Sequence, residues 1–468
     1  MTDAGLRRAA ITFAAAVASF LVLAALSAAC GATPQPGIVA AILAIGLMRR
    51  PKRIRGLDVL WIPLTMVAIA LGAAGMGWMF HTNLIAGGVV FTAILAGSMW
   101  LRKFTGRWRR VGELLAMPLV VMLVVPPPGH ARGGPLVDLG LVVAAGLVPL
   151  VIAAVLSRFV EPGFDLERGR TARAGMAPTT RMAAQLAVAL SAAFALGFMF
   201  FPEHWGWVVL TAFLVSSGSL GREHAIYFGF LRLLGAVAGT VAAAGIAHFV
   251  VLHGPPEAVA IFAMLFLGIW LRDVSYAYWA ACITVILALL SPASDGSQIA
   301  LLGVRLIAIF VGAVCAVLAA WFVYPIRTHD ILRLRLAELL LAIDGIAGHT
   351  ASDAVDLAVK RAEVDHRLKE FERVVPPVQW HRRLVARGGD PHHPAGWACV
   401  ARSISAQSRN LPLPADEAAA RTTTIRRAIG LTRLSIANHG KAEPDERAIP
   451  VSDALEKLHR SIGPPSAT

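Results

Sequence analysis

Twelve apolar runs separated by short loops fill residues 9–324 of this 468-residue chain, and that pattern leaves few folds open to it. A helix needs about 20 residues to cross a bilayer, fewer when it is tucked against neighbours. By that measure spans are expected near 9–29, 37–48, 58–79, 83–101, 111–126 and 135–157, and again near 180–201, 204–217, 228–251, 256–272, 276–291 and 297–324. Runs 37–48 and 204–217 are too short to cross upright alone, and each follows a loop containing proline; they read as half-helices or as helices that continue past their apolar limits. Charged residues make up 15% of the chain, against about a quarter in soluble proteins. The expected fold class is all-α: a polytopic membrane protein of about 12 transmembrane helices in two parallel six-helix repeats, plus a cytoplasmic helical domain. The first run follows Arg7 and Arg8 and reads as a retained membrane helix, not a signal peptide, because it is long and further spans follow.

The two sets of runs look like one unit used twice. Pro36 and Pro202, Arg102 and Arg272, and Pro126 and Pro292 recur at offsets of 166 to 170, and the long third run of each set begins at 58 and 228. The domain boundaries that follow are a first repeat over 1–157, an Arg-rich connector over 158–179, a second repeat over 180–326 and a cytoplasmic helical domain over 327–468. In that last domain, leucines at helical spacing run through IRTHDILRLRLAELLLAIDGIAG, and DAVDLAVKRAEVDHRLKEFERVV repeats the pattern. A Pro-, Gly- and His-rich break follows, and then weaker helical stretches near 396–410, 415–437 and 444–461.

A net charge of +14 would point to nucleic acid if it sat on one soluble domain. It does not. From Pro325 onward 21 Lys/Arg stand against 17 Asp/Glu, and before it 22 stand against 12, with nearly all of those cations in short loops. Alternate loops hold 19 cations, among them RRPKRIR at 49–55 and RKFTGRWRR at 102–110, while the opposite loops hold one, Arg132. The positive-inside rule then puts both termini and the basic loops in the cytoplasm, and makes the lipid bilayer, not nucleic acid, the partner of this charge.

The chemistry-bearing residues are few. Arg305 lies about eight residues in from the outer end of the last span, where an arginine costs roughly 2.5 to 3.5 kcal/mol on insertion scales. It is either a fixed charge for an anionic substrate or a side chain that snorkels outward or pairs with a carboxylate. Arg232 lies about one turn inside the cytoplasmic end of its apolar run, where snorkelling is easier and an anion contact is the other reading. Gly235 and Gly239 follow it at the spacing that lets helices approach closely. Glu113 and Asp138 are candidate proton-coupling carboxylates or ordinary hydrated ones, and Asp138 falls near the repeat-equivalent position of Arg305, so a pair between them is one expectation. Trp205, Trp207, Tyr276, Tyr278 and Trp279 lie at span ends, as interfacial anchors or as surfaces for an aromatic substrate.

Catalytic and cofactor signals are not found. The four cysteines have no metal-ligand spacing, His392 and His393 lack a partner motif, and there is no phosphate-binding G-x-x-x-x-G-K-[ST], G-x-S-x-G or HExxH. No enzyme, cofactor or metal is expected.

Residues 180–326 resemble the fusaric acid resistance (FUSC) or aromatic acid exporter family. The pattern carrying the resemblance reads here as Arg181; Pro202 with Trp205; Arg232 with Gly235 and Gly239; Arg272 with Tyr276 and Ala277; and Arg305 with Gly312 and Pro325. Ala236 stands where the family often has Thr, and a short connector replaces the large cytoplasmic domain of many members. The resemblance implies a bacterial inner membrane exporter of aromatic carboxylates, driven by the proton gradient and often working with a periplasmic adaptor. For such an exporter the candidate substrate contacts are the arginines and span-end aromatics read above, Arg232, Arg305, Trp205, Trp207, Tyr276 and Trp279, with Gly235, Gly239 and Gly312 as helix-packing positions. A passive anion channel, a non-transporting envelope or signalling protein, and a homo-oligomer remain open alternatives.

Overall fold

A computed structural model describes residues 3–33, 35–48, 58–104, 107–121, 123, 134–159, 178–249, 255–272, 274–289, 298–347, 354–385 and 397–408. By contacts the chain divides into two units: Met1–Gly163, Gly169–Ser219 and Phe228–Pro325 in the first, and Phe164–Arg168, Leu220–Tyr227 and Ile326–Thr468 in the second. Among the described residues all regular structure is helical.

The first unit begins with α1 (Asp3–Ala29), α2 (Gln35–Met48), α3 (Asp58–Thr82), α4 (Leu84–Leu101), α5 (Arg107–Leu114), α6 (Ala116–Val121) and α7 (Pro135–Leu156). It continues with α8 (Pro178–Phe200), α9 (Trp205–Gly218), α10 (Arg222–Phe249, from Phe228 onward), α11 (Pro255–Leu271), α12 (Tyr276–Leu289) and α13 (Gln298–Phe322). Seven of these contain segments long and apolar enough to cross a membrane: Leu6–Ala29, Trp61–Thr82, Leu84–Leu101, Pro135–Phe159, Pro178–Phe200, Arg222–Ile246 and Gly303–Phe322. The chain is therefore a multi-pass membrane protein. Helices α2, α9, α11 and α12 are apolar but shorter.

The fifth expected span differs from its apolar run. Instead of one helix over 111–126, α5 starts earlier, at Arg107, and stops at Leu114, and α6 begins at Ala116. Pro118 gives the reason: it has no N–H and its ring clashes with the carbonyl four residues back, which is that of Leu114.

Packing is reciprocal between the two sets. Within the first, α1, α2 and α7 pack on one another; within the second, α8, α9 and α13 do the same. Across them α4 packs on α8 and α11 on α1. The second contact is aromatic, with Phe13 edge-on to Phe266 at 5.3 Å and Phe20 edge-on to Phe262 at 5.7 Å. The first is a core of Phe91 and Leu95 from α4, Leu186, Leu190 and Phe194 from α8, and Val208 and Phe213 from α9. At the end of α13, Tyr324 takes a positive φ of 46°, a conformation that costs a non-glycine residue roughly 1–2 kcal/mol. The buried amide of Gln185 on α8 holds this turn, its Nε2 donating to the carbonyls of Val323 (3.0 Å) and Tyr324 (3.2 Å).

The second unit contains α14 (Thr328–Ala347), α15 (Ala354–Glu372), α16 (Val375–Val385) and α17 (Trp397–Ser408). Leu332, Leu336, Leu339, Leu340, Ile343 and Ile346 line one face of α14 and bury against Phe371, Val374, Val378 and Trp397. Beside this core, Arg335 contacts Glu338 (2.8 Å) and Glu370 (2.9 Å), and Arg367 contacts the same two carboxylates at 3.4 Å. The expected break begins with a helix: α16 carries Pro376 and Pro377 in its first turn, where the missing N–H groups have no intrahelical partner to lose. The stretches near 415–437 and 444–461, the connector 160–177, and His392 with His393 lie outside the described residues.

Candidate functional site

Helix α10 explains why Arg232 does not behave as a surface cation. The apolar run begins at Phe228, but the helix already starts at Arg222, with Glu223 in its first turn to complement the helix dipole. Arg232 is therefore ten residues into the helix, about 15 Å along its axis. Its side chain is 1% exposed and is the largest fully buried side chain among the described residues. The expectation that it snorkels to the interface is corrected by this enclosure.

The surroundings of Arg232 are polar only in part. Its Nη1 donates to the carbonyl of Ala280 on α12 at 3.5 Å, and the same carbonyl accepts a 2.8 Å bond from the Thr284 hydroxyl. Nε and Nη2 are buried with no hydrogen-bond partner among the described residues. The Tyr276 hydroxyl, at the start of α12, is likewise buried and without a hydrogen-bond partner, and it lies close enough to Arg232 to interact with it electrostatically. Phe228 stacks on Tyr276 with centroids 4.2 Å apart and an interplanar angle of 30°, which fixes the phenol ring. Gly235 and Gly239 lie on the same α10 face as Arg232. A Cβ at Gly235 would strike the Ala277 carbonyl and the Ala280 Cβ, and one at Gly239 the Ala281 carbonyl and Thr284. These glycines bring α10 against α12 and close the seam that encloses the guanidinium.

A second cation site joins α13 to α9. The Arg305 guanidinium sits 5.1 Å from the ring centroid of Trp207, within cation–π range, and both residues are half-buried. Gly312, two turns further along α13, admits Val208 and Thr211 of α9 into the space a side chain would fill. Arg305 is thus more accessible than Arg232.

The remaining aromatic candidates separate. Trp279 takes Arg272 at 5.3 Å from its ring and packs over Gly268 of α11. Trp205 belongs to a cluster with Phe80 (5.2 Å), Phe198 (5.3 Å) and Phe194 (5.7 Å), where it packs α9 against α8 and the end of α3. Of the carboxylates, Glu113 pairs with Arg109 one turn back on α5 at 3.1 Å. Asp138 is half-buried in the first turn of α7, where its charge complements the helix dipole.

Some of these contacts are legible in the sequence and some are not. Gln185, a lone amide in an apolar run, and the i, i+4 spacing of Arg109 and Glu113 were readable signals. The stacking of Phe228 on Tyr276 was not, because it depends on the approach of two helices.

Compared with known proteins, residues 186–319 match the family model described as fusaric acid resistance protein-like. No curated protein matches the chain. The matched residues run from within α8 to within α13 and include both arginine sites. This membrane segment is therefore similar to the fusaric acid resistance protein-like (FUSC) family.

Proposed function

We propose that the protein is a secondary transporter of the bacterial inner membrane that exports aromatic or amphipathic organic anions, driven by the proton gradient. The observation that carries this reading is the pair of Arg305 and Trp207, a cation held over an aromatic face at half-buried positions inside the matched segment. An anion with an apolar ring meets both of its chemical needs there, since the guanidinium takes the charge and the indole takes the ring. Arg232 is the second cation on the path. Trp279 with Arg272 offers a further aromatic and cationic pair at a span end.

The topology belongs to the same proposal. The reciprocal contacts, α4 on α8 and α11 on α1, are what two parallel six-helix repeats related by a two-fold axis along the membrane normal would make. The twelve-span reading includes the shorter helices α2, α9, α11 and α12 as full or partial spans. The Lys/Arg asymmetry then assigns both termini and the helical domain 327–468 to the cytoplasm. Protons couple through Glu113 or Asp138, and a periplasmic adaptor or a second copy of the chain completes the assembly.

A strain lacking the protein tests the reading. It should tolerate aromatic acids less well and retain more of a labelled aromatic acid, and the wild-type chain should restore both where Arg305→Gln does not. Unchanged tolerance and unchanged efflux in the deletion strain would refute it. A passive anion channel is the second reading, favoured by one observation: Arg232 makes no ion pair among the described residues.

A further inference from the structure

We propose that the α10–α12 seam holds a carboxylate-binding site made of the Nε–Nη2 edge of Arg232 and the Tyr276 hydroxyl. The inference rests on the organic-anion reading and says where the head group of the anion binds and which heads are accepted.

The chemistry follows from which guanidinium atoms are engaged. Nη1 is the nitrogen on the side of the arginine stem, and it is turned to the Ala280 carbonyl. Nε and Nη2 share the opposite edge, and both are buried without a partner among the described residues. Two parallel N–H groups on one planar edge match the two oxygens of a carboxylate, the bidentate geometry that makes arginine selective for such groups. The Tyr276 hydroxyl supplies a third donor near the same guanidinium, held in place by Phe228. Three buried donors without partners in one seam, two of them on a single planar edge, favour a planar anion that can accept all of them. A tetrahedral head such as a sulfonate carries a third oxygen out of that plane, which would be buried unsatisfied.

Access defines the role of the seam. Arg232 is 1% exposed, and Gly235 and Gly239 close α10 on α12. A carboxylate reaches the Nε–Nη2 edge only when these helices part at the glycines, so the described arrangement is the closed one. Arg305 over Trp207, more open to its surroundings, receives the anion, and Arg232 with Tyr276 holds its head group.

The test uses the full chain, purified and reconstituted in liposomes, with benzoate and benzenesulfonate as a matched pair of probes. Wild type should bind and move benzoate about tenfold better than benzenesulfonate, the scale of one charged hydrogen bond. Tyr276→Phe, which keeps the ring and its stacking on Phe228, should raise KM for benzoate several-fold with kcat little changed and should erase most of the preference. Arg232→Lys should abolish the preference, because an ammonium cannot present the edge. Equal handling of the two probes by wild type, or full retention of the preference in Tyr276→Phe, overturns the site while leaving organic-anion transport standing. Binding of benzoate by purified wild type, weakened several-fold in Tyr276→Phe, with no flux of either probe, upholds the site and overturns the transport reading. If Arg232→Lys does not fold, Tyr276→Phe alone decides.

Discussion

Replacing Arg232 with methionine should make the protein more stable and less able to move organic anions. Methionine keeps much of the side-chain length and removes the charge. An arginine at a span centre costs roughly 2.5 to 3.5 kcal/mol on insertion scales, and here the protein offsets little of it. The Nη1 bond to the Ala280 carbonyl is 3.5 Å long and shares its acceptor with Thr284, so its loss costs at most about 1 kcal/mol. The net gain is about 2 kcal/mol, in line with the stabilisation seen when buried charges give way to apolar side chains. Thermal unfolding in detergent should show a midpoint several degrees higher, since each kcal/mol moves a domain of 150–250 residues by about 2–4 °C. Saturating benzoate should separate the two proteins further. At a hundred times Kd it should stabilise wild type by about 2.7 kcal/mol and Arg232→Met by clearly less, since only the Arg305–Trp207 contact remains. A loss of about 3 kcal/mol or more in Arg232→Met would refute this reasoning, because it is what removing one member of a compensated buried pair produces.

Three further outcomes follow from named contacts. Gly235→Ala and Gly239→Ala should each destabilise the chain by about 1–2 kcal/mol in thermal unfolding, the overpacking cost less the helix propensity gained; Gly245→Ala, on the same helix with nothing within 4 Å of its added Cβ, should be neutral or stabilising. Trp207→Leu should weaken half-saturation for aromatic anions by about 0.5–2 kcal/mol, the range of a cation–π contact, with little change for aliphatic ones in the same flux assay. Glu370→Gln, which leaves Arg335 on Glu338 and Arg367 on Glu338 and Glu363, should lower the opening free energy for amide exchange in α14 and α15 by about 1–2 kcal/mol.

Hydropathy was enough to place the seven segments that are long and apolar enough to cross a membrane, because the bilayer imposes length and polarity on every crossing segment. It located side chains less well. The apolar run of α10 begins at Phe228, so Arg232 looked shallow, yet the helix extends through the polar turn Arg222–Tyr227 and carries the residue inward. Arg305 was legible as a cation at depth, but its partner was not. Trp207 lies almost a hundred residues away in sequence, and only the packing of α13 on α9 brings the two rings of charge and π density together. Trp205, two residues earlier and alike in sequence context, turns instead into an aromatic cluster. One helical turn is 3.6 residues, so neighbours two apart face different ways. The break between α5 and α6 was readable from Pro118 alone, whereas the burial of the Arg232 Nε–Nη2 edge and of the Tyr276 hydroxyl without partners needed coordinates.

Proton-coupled transport is tested most directly in liposomes containing the purified full chain, with the membrane potential clamped and a pH gradient imposed. The account predicts protein-dependent accumulation of labelled benzoate that follows the pH gradient, exceeds that of empty liposomes and is lost in Arg305→Gln. Currents that follow voltage with no response to the pH gradient would contradict it in favour of a channel, and a flux no greater than that of empty liposomes would contradict transport itself.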